Sequence, residues 1–240
     1  MVARQFLRKI KTGKYIIGTV TDCPKRSKAV GSKFIIRNDR SIIYSDSELS
    51  LDVENICIKN TPVLKNITTA EGLNIEIYLE KLEEKPRLLI FGAGHISLPL
   101  TEIAKLIGFE VIVMDDREEF VNKKRLPAVD HLVCTAFTDY LAELKVSEND
   151  YIIIVTRGQK LDYYVLKQVI RSKANYIGMI GSQRKVSLIF NELSTKDGIE
   201  QELLAKVFAP IGLAINSETP EEIAVSIAAE LVRVRRQSDE

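Results

Sequence analysis

Leu88-Leu89-Ile90-Phe91-Gly92-Ala93-Gly94-His95-Ile96-Ser97 is the stretch that decides the fold. Its opening residues are apolar without alternation, as expected of a strand buried on both faces of a parallel sheet. A Gly-x-Gly-x-x-Ser turn follows. Ile96, Leu100, Ile103, Ala104 and Ile107 then recur at helical spacing up to Gly108, which falls where a helix ends. Strand, glycine turn and helix in that order form the phosphate-binding entrance of a Rossmann-type domain. Gly92 permits the tight turn, and Gly94 lets backbone N–H groups approach a phosphate at the helix N-terminus. Ser97 stands where a third glycine or alanine is usual, and is small enough for close helix–strand packing.

Working outward, apolar segments at 110–114, 131–135, 151–156 and 176–180 read as further buried strands, with helix-period segments between them. This alternation predicts an α/β fold with a Rossmann-like, doubly wound parallel sheet over 85–240. Before it, 15–21, 33–36, 55–59 and 74–79 are β-branched or alternating, and Asn38-Asp39-Arg40 reads as a hairpin turn. They predict a smaller strand-rich domain over 1–84, joined by the charged linker Lys81-Leu82-Glu83-Glu84-Lys85-Pro86. Near the end, Thr219-Pro220-Glu221-Glu222 has the form of a capping box, followed by a stripe of Ile223, Ile227, Leu231 and Val234.

Composition narrows the function classes. The 240 residues carry 34 Lys plus Arg against 33 Asp plus Glu, a formal net charge of +1, with 45% hydrophobic residues. That profile excludes intrinsic disorder and argues against nucleic-acid binding, which calls for a basic excess. Apolar runs fall short of the roughly 18 residues that span a bilayer, and no secretory signal is visible, so no membrane partner is expected. Cys23, Cys57 and Cys134 are widely spaced and read as reduced thiols of a cytoplasmic protein. With His95 and His131 the only histidines, no metal site is expected.

Candidate ligand contacts follow the strands. Asp115 lies about twenty residues beyond the glycine turn, where a carboxylate can hold ribose hydroxyls and repel an added 2′-phosphate. NAD-like ligands are therefore expected over NADP-like ones. Asp116 and Arg117 adjoin it, and His95 in the turn reads as a ligand contact. After the fourth strand of the parallel sheet, Arg157 and Gly158 face the glycine turn, with Arg157 an anion clamp. After the fifth, Gly181 and the N-cap Ser182 precede Arg184 and Lys185. Cations in a first helical turn oppose the dipole by roughly 0.3–1 kcal/mol each, so an anion seat is expected there. Asp115 and Asp116 diverge as strand neighbours and form no acid–base pair. No Ser/His/Asp or Cys/His arrangement emerges, so no catalytic residue is assigned and binding is more clearly advertised than catalysis.

Taken in order, Gly92-Ala93-Gly94-His95, Val113-Met114-Asp115-Asp116-Arg117-Glu118-Glu119-Phe120, Thr156-Arg157-Gly158, Tyr176-Ile177-Gly178-Met179-Ile180-Gly181-Ser182, Ala209-Pro210-Ile211-Gly212-Leu213 and Thr219-Pro220-Glu221-Glu222-Ile223-Ala224 resemble the xanthine dehydrogenase accessory factor family, the XdhC/CoxI type. The resemblance is strong over roughly 85–236. It implies a cytoplasmic, often dimeric chaperone with a Rossmann domain that binds molybdenum cofactor (molybdopterin), assists its sulfuration and delivers it to a molybdenum hydroxylase. A sulfur-donor enzyme is an implied second partner. This sequence departs from the family pattern at two places in the C-terminal part and across a divergent N-terminal half: Gln159 stands where the family usually has His, and Asn216-Ser217 where Gly-Ala is usual. In the N-terminal half, Cys23-Pro24-Lys25-Arg26 and Gly31-Ser32-Lys33-Phe34 keep traces of the pattern. The family's glycine- and cysteine-rich stretch would fall near Ser45-Asp46-Ser47-Glu48-Leu49, which has neither residue. The rival readings are an NAD-dependent oxidoreductase, with His95 or Lys185 donating a proton, and a non-catalytic NAD-binding regulatory module. A β-rich half without clear closure points, with the resemblance, to a homodimer.

Overall fold

A computed structural model describes residues 15–37, 41–46, 48–51, 62–82 and 85–237 of the chain, which divides into two units, Met1–Glu84 and Lys85–Glu240. The N-terminal unit is an antiparallel sheet of β1 (Tyr15–Asp22), β2 (Lys33–Arg37), β3 (Ile42–Ser45), β4 (Val63–Thr68) and β5 (Asn74–Leu82), in the order β3-β2-β1-β5-β4. Alternation sets its inner face. Ile75, Ile77 and Leu79 of β5 are buried, while Glu76, Tyr78 and Glu80 between them are half-buried. Ile16, Val20, Phe34 and Ile36 complete the same core. β3 and β4 are the strands that sequence pattern missed. β5 also runs further than expected, so Lys81 and Leu82 belong to the sheet rather than to a linker. The expected strand at 55–59 and the turn at 38–40 lie outside the described residues.

The C-terminal unit is the parallel sheet that the sequence predicts. Its strands are β6 (Arg87–Phe91), β7 (Glu110–Asp115), β8 (His131–Cys134), β9 (Asp150–Ile154) and β10 (Tyr176–Met179), in the order β10-β9-β6-β7-β8. Its helices are α1 (Ser97–Leu106), α2 (Phe137–Glu143), α3 (Gln159–Val169), α4 (Gln183–Asp197), α5 (Gln201–Leu204) and α6 (Pro220–Gln237). Non-alternating strands are explained by two covered faces. Leu88, Ile90, Val111, Val113 and Ile153 pack with Leu100 of α1 and Ile227 and Leu231 of α6. Leu89, Phe91, Ile112, Met114 and Ile152 pack on the other side with Val165 of α3 and Ile189 and Leu193 of α4.

Local signals hold at the ends of the helices. Gly108, at φ +91°, closes α1: its N–H donates to the Lys105 carbonyl, and the Phe109 N–H reaches back to Ala104. The Thr219 hydroxyl accepts from the Glu222 N–H at 3.2 Å while the Glu222 carboxylate accepts from the Thr219 N–H at 3.1 Å, a complete capping box opening α6. Deeper in α6, buried Glu230 accepts from the Tyr176 hydroxyl at 2.7 Å and the Gly212 N–H at 2.9 Å, tying the helix to β10 and to the loop before α6. Burial of the Tyr176 phenol, with the Glu230 charge beside it, pushes its ionisation well above the usual range. Among the described residues no helix is long and apolar enough to cross a membrane.

Candidate functional site

Parallel strands deliver every residue that follows them to one edge of the sheet. The chain leaves β6 for β7 on one side and later enters β9 on the other. The topological switch point, where ligands of open α/β sheets bind, therefore lies at the exits of β6 and β9. The glycine turn sits there. Gly92 has φ +114°, and a Cβ on it would meet the Val155 carbonyl oxygen at 2.4 Å, so no larger residue fits between the two strand exits. Ser97, fully buried, donates its hydroxyl to the Gly92 carbonyl at 2.6 Å. It thus staples the turn to the start of α1 as well as allowing close packing. Around Gly94 a Cβ would meet nothing within 4 Å, and His95 is exposed. That side of the turn is open for approach.

Asp115 departs from the expected ribose-binding role. It is buried, 2% exposed. One carboxylate oxygen accepts from the Arg117 N–H at 3.2 Å and Nε at 2.8 Å; the other accepts from the Ala93 N–H at 2.9 Å and Arg117 Nη2 at 2.8 Å. A carboxylate has about four acceptor sites, and all are filled. Asp115 therefore ties the glycine turn to the β7 exit and offers no lone pair to a ribose. Burial alone would raise its ionisation, but the Arg117 guanidinium and the Ala93 N–H outweigh it and bring it down to about 2.

The two predicted cation sites also carry internal partners. Arg157 makes a bidentate pair with Asp116 at 2.7 and 2.8 Å. Because β7 and β9 flank β6, this pair spans the exit of β6, where the glycine turn lies. Lys185 is not the free anion seat that its place in the helix suggested. Its ammonium pairs with the fully buried Asp162 and donates to the Ile180 carbonyl at 3.2 Å. That carboxylate offsets the unfavourable placement of Lys185 at the start of α4. Ser182 is the N-cap, accepting from the Lys185 N–H at 3.3 Å. Arg184 is exposed and has no ion-pair partner among the described residues; Gly158 immediately precedes α3, and Gly181 precedes Ser182, the N-cap of α4.

Sequence reasoning missed Asp162. Its carboxylate also accepts from the Thr156 hydroxyl at 2.7 Å and the Thr156 N–H at 3.2 Å, fixing the loop that carries Arg157. An acid in the first turn of α3 reads in sequence as a plain complement to the helix dipole; only the fold shows it facing Lys185. Phe120 and Arg125 were missed as well. The Arg117 and Arg125 guanidinium carbons lie 3.8 and 4.4 Å from the Phe120 ring centroid. Among the described residues the edge thus offers an open glycine turn, Arg184 without an ion-pair partner and Arg157 paired at the surface, donors suited to phosphate. Among the described residues no group of three or more His, Cys, Asp or Glu side chains could hold a metal ion.

The chain is similar to the uncharacterized protein YqeB of Escherichia coli (strain K12), at 32% identity over 168 residues, 70% of this chain and 30% of that protein. It is 33% identical over 162 residues to a probable xanthine dehydrogenase subunit of Bacillus subtilis (strain 168), covering 67% of this chain and 46% of that one. The chain spans less than half the length of these curated relatives. A crystal structure of a xanthine dehydrogenase from Bacillus halodurans has the same fold over 98% of this chain and 67% of that one, with a TM-score of 0.72 and 24% identity. Residues 88–231, which carry the glycine turn, both aspartate–arginine pairs and most of α6, match the family described as the XdhC Rossmann domain, and the chain belongs to that family.

Proposed function

We propose that this chain is an accessory protein to a molybdenum hydroxylase of the xanthine dehydrogenase class, and that it binds a phosphorylated pterin or nucleotide at the carboxyl edge of its parallel sheet. The observation that carries the reading is the open Gly92–Gly94 turn at the β6 exit, with Arg157 of the neighbouring β9 exit and Arg184 after β10 on the same edge of the sheet, inside a domain of this family. Molybdopterin bears a phosphate, and the donors present fit that group: backbone N–H groups of the turn, the exposed His95 and two guanidinium forks. Bound there, the cofactor would be held in transit, its redox chemistry belonging to the client enzyme. This chain's residues bind and orient the phosphate; Asp116 holds Arg157 until an anion takes it. Among the described residues His95 has no hydrogen-bonding partner to position it as a proton donor, which leaves the oxidoreductase reading with less support.

Pairing with a second copy and with a sulfur-donor enzyme belongs to the same proposal. Ile42 and Leu64 stand exposed on β3 and β4, the outer strands of the N-terminal sheet, where a second chain can add. Two measurements test the function. Mass spectrometry of small molecules released from the natively purified protein is expected to find a phosphorylated pterin. Co-production with a molybdenum hydroxylase is expected to raise the fraction of active client. A protein that releases no pterin and leaves client activity unchanged would overturn the reading.

A further inference from the structure

The segment between β7 and β8 holds cations that the reading above does not use. Arg117 presents five N–H donors. Asp115 takes two, and the other three have no partner among the described residues. Eight residues on, the Arg125 guanidinium has no acid partner among the described residues, and its Nε is the buried side-chain atom left without a hydrogen bond there. Both lie over Phe120. Of the nearby acids, Asp116 is committed to Arg157, and the exposed Glu118 and Glu119 pair with neither arginine. Two guanidinium groups are thus held together on one aromatic ring: Arg117 is neutralised by Asp115 but keeps three donors over, and Arg125 has an orphaned donor and no acid in ion-pair contact among the described residues.

Its place in the fold says what would balance it. In a Rossmann domain the exit of the second strand faces the adenosine ribose, where a free carboxylate accepts from the 2′-hydroxyl and an arginine accommodates a 2′-phosphate. Here the carboxylate is saturated from within, and the outward face is arginine. We propose that Arg117 and Arg125, mounted on Phe120, form a subsite for the 2′-phosphate of a phosphorylated adenosine nucleotide, so that the site selects NADP-type over NAD-type ligands. This rests on the reading of the carboxyl edge as a nucleotide-like site. It reverses the preference that an aspartate at position 115 suggests in sequence.

The test is equilibrium titration of the full chain with NADPH and NADH, with 2′,5′-ADP and 5′-AMP as competitors. NADPH is expected to bind roughly tenfold or more tightly than NADH, and 2′,5′-ADP to compete better than 5′-AMP, as charge-assisted contacts to an added phosphate require. Arg125→Gln should weaken NADPH and leave NADH unchanged. Arg117→Gln should weaken NADPH and strengthen NADH, because Asp115 then regains acceptor sites. Should Arg117→Gln fail to fold, Arg125→Gln still decides. Equal binding of both nucleotides, binding of neither, or a preference that survives Arg125→Gln would overturn the subsite. None of these outcomes bears on pterin release or client activation, which stand or fall separately.

Discussion

At the exit of β7, the buried Asp115, its side chain 3% exposed, grips Arg117, 26% exposed; one residue later, Asp116 grips Arg157 of the β9 exit at the surface, with side chains 35% and 45% exposed. Both pairs are bidentate with nearly equal bond lengths, so hydrogen-bond geometry does not separate them. Solvation does. Removing one partner of a buried pair leaves a charge that water cannot reach and costs about 3–5 kcal/mol, whereas an exposed pair contributes about 0–1 kcal/mol. The first pair is therefore framework and the second is exchangeable. A ligand can take Arg157 from Asp116 at little cost and cannot take Arg117 from Asp115, only use the donors that Asp115 leaves over.

The comparison breaks most sharply at Asp162, which belongs with the buried class. Asp162→Ala would leave the ammonium of Lys185, whose side chain is 23% exposed, without its carboxylate and the Thr156 N–H and hydroxyl without their acceptor. Partial access of water to Lys185 puts the expected loss near the lower bound, about 3 kcal/mol. Urea denaturation at pH 7 reads it as a fall in midpoint at unchanged slope. A loss below about 1 kcal/mol would move Asp162 into the exchangeable class. It would also return Lys185 to the candidate anion sites.

Acid titration sharpens the buried side of the comparison. Asp115 ionises at about 2 in the folded chain and near the ordinary aspartate value of about 4 when unfolded. A depressed carboxylate contributes stability that is present above the unfolded value and lost as pH falls through the folded one. Asp115→Asn is accordingly expected to cost about 2 kcal/mol at pH 7, with the difference from the parent closing between about pH 4 and pH 2. Stability measured against pH for the two proteins checks it. Parallel curves would mean that Asp115 does not feel Arg117 as the geometry requires.

These residues also mark where sequence reading stops. Strands β6 to β10, the end of α1 at Gly108 and the capping box at Thr219 rest on patterns within a few neighbouring residues, and each is where the pattern puts it. β4 escaped because Val63, Lys65 and Ile67 are only half-buried and the strand alternates with no fully buried face to announce it. At the site, gathering on one edge follows from parallel topology and was legible. Pairing was not. Asp116 and Arg157 are 41 residues apart and Asp162 and Lys185 are 23 apart, so which cation each acid neutralises is decided by how separate strands and helices are placed against one another. A motif names the groups at the edge; packing decides which of them remain available to a ligand.

The smallest structural effect carries the most direct information about the exchangeable pair. Asp116→Asn removes the carboxylate charge that holds Arg157 and leaves both side chains exposed. Stability should change by no more than about 0.5–1 kcal/mol, and less at high salt, since surface pairs are screened. Anion affinity should change in the other direction. Without Asp116 the Arg157 fork is no longer neutralised beside the glycine turn, and a phosphate arriving there meets an unopposed cation. Inorganic pyrophosphate, titrated against the parent and the variant, is expected to bind the variant severalfold more tightly at low ionic strength, with the gain shrinking as salt rises. A variant that binds pyrophosphate no better while its stability falls by about 3 kcal/mol or more, the scale of a buried pair, would make Asp116–Arg157 framework like its neighbour. The crossing of the β6 exit would then be a fixed strut, and the ligand would have to be held by the glycine turn and Arg184 without Arg157.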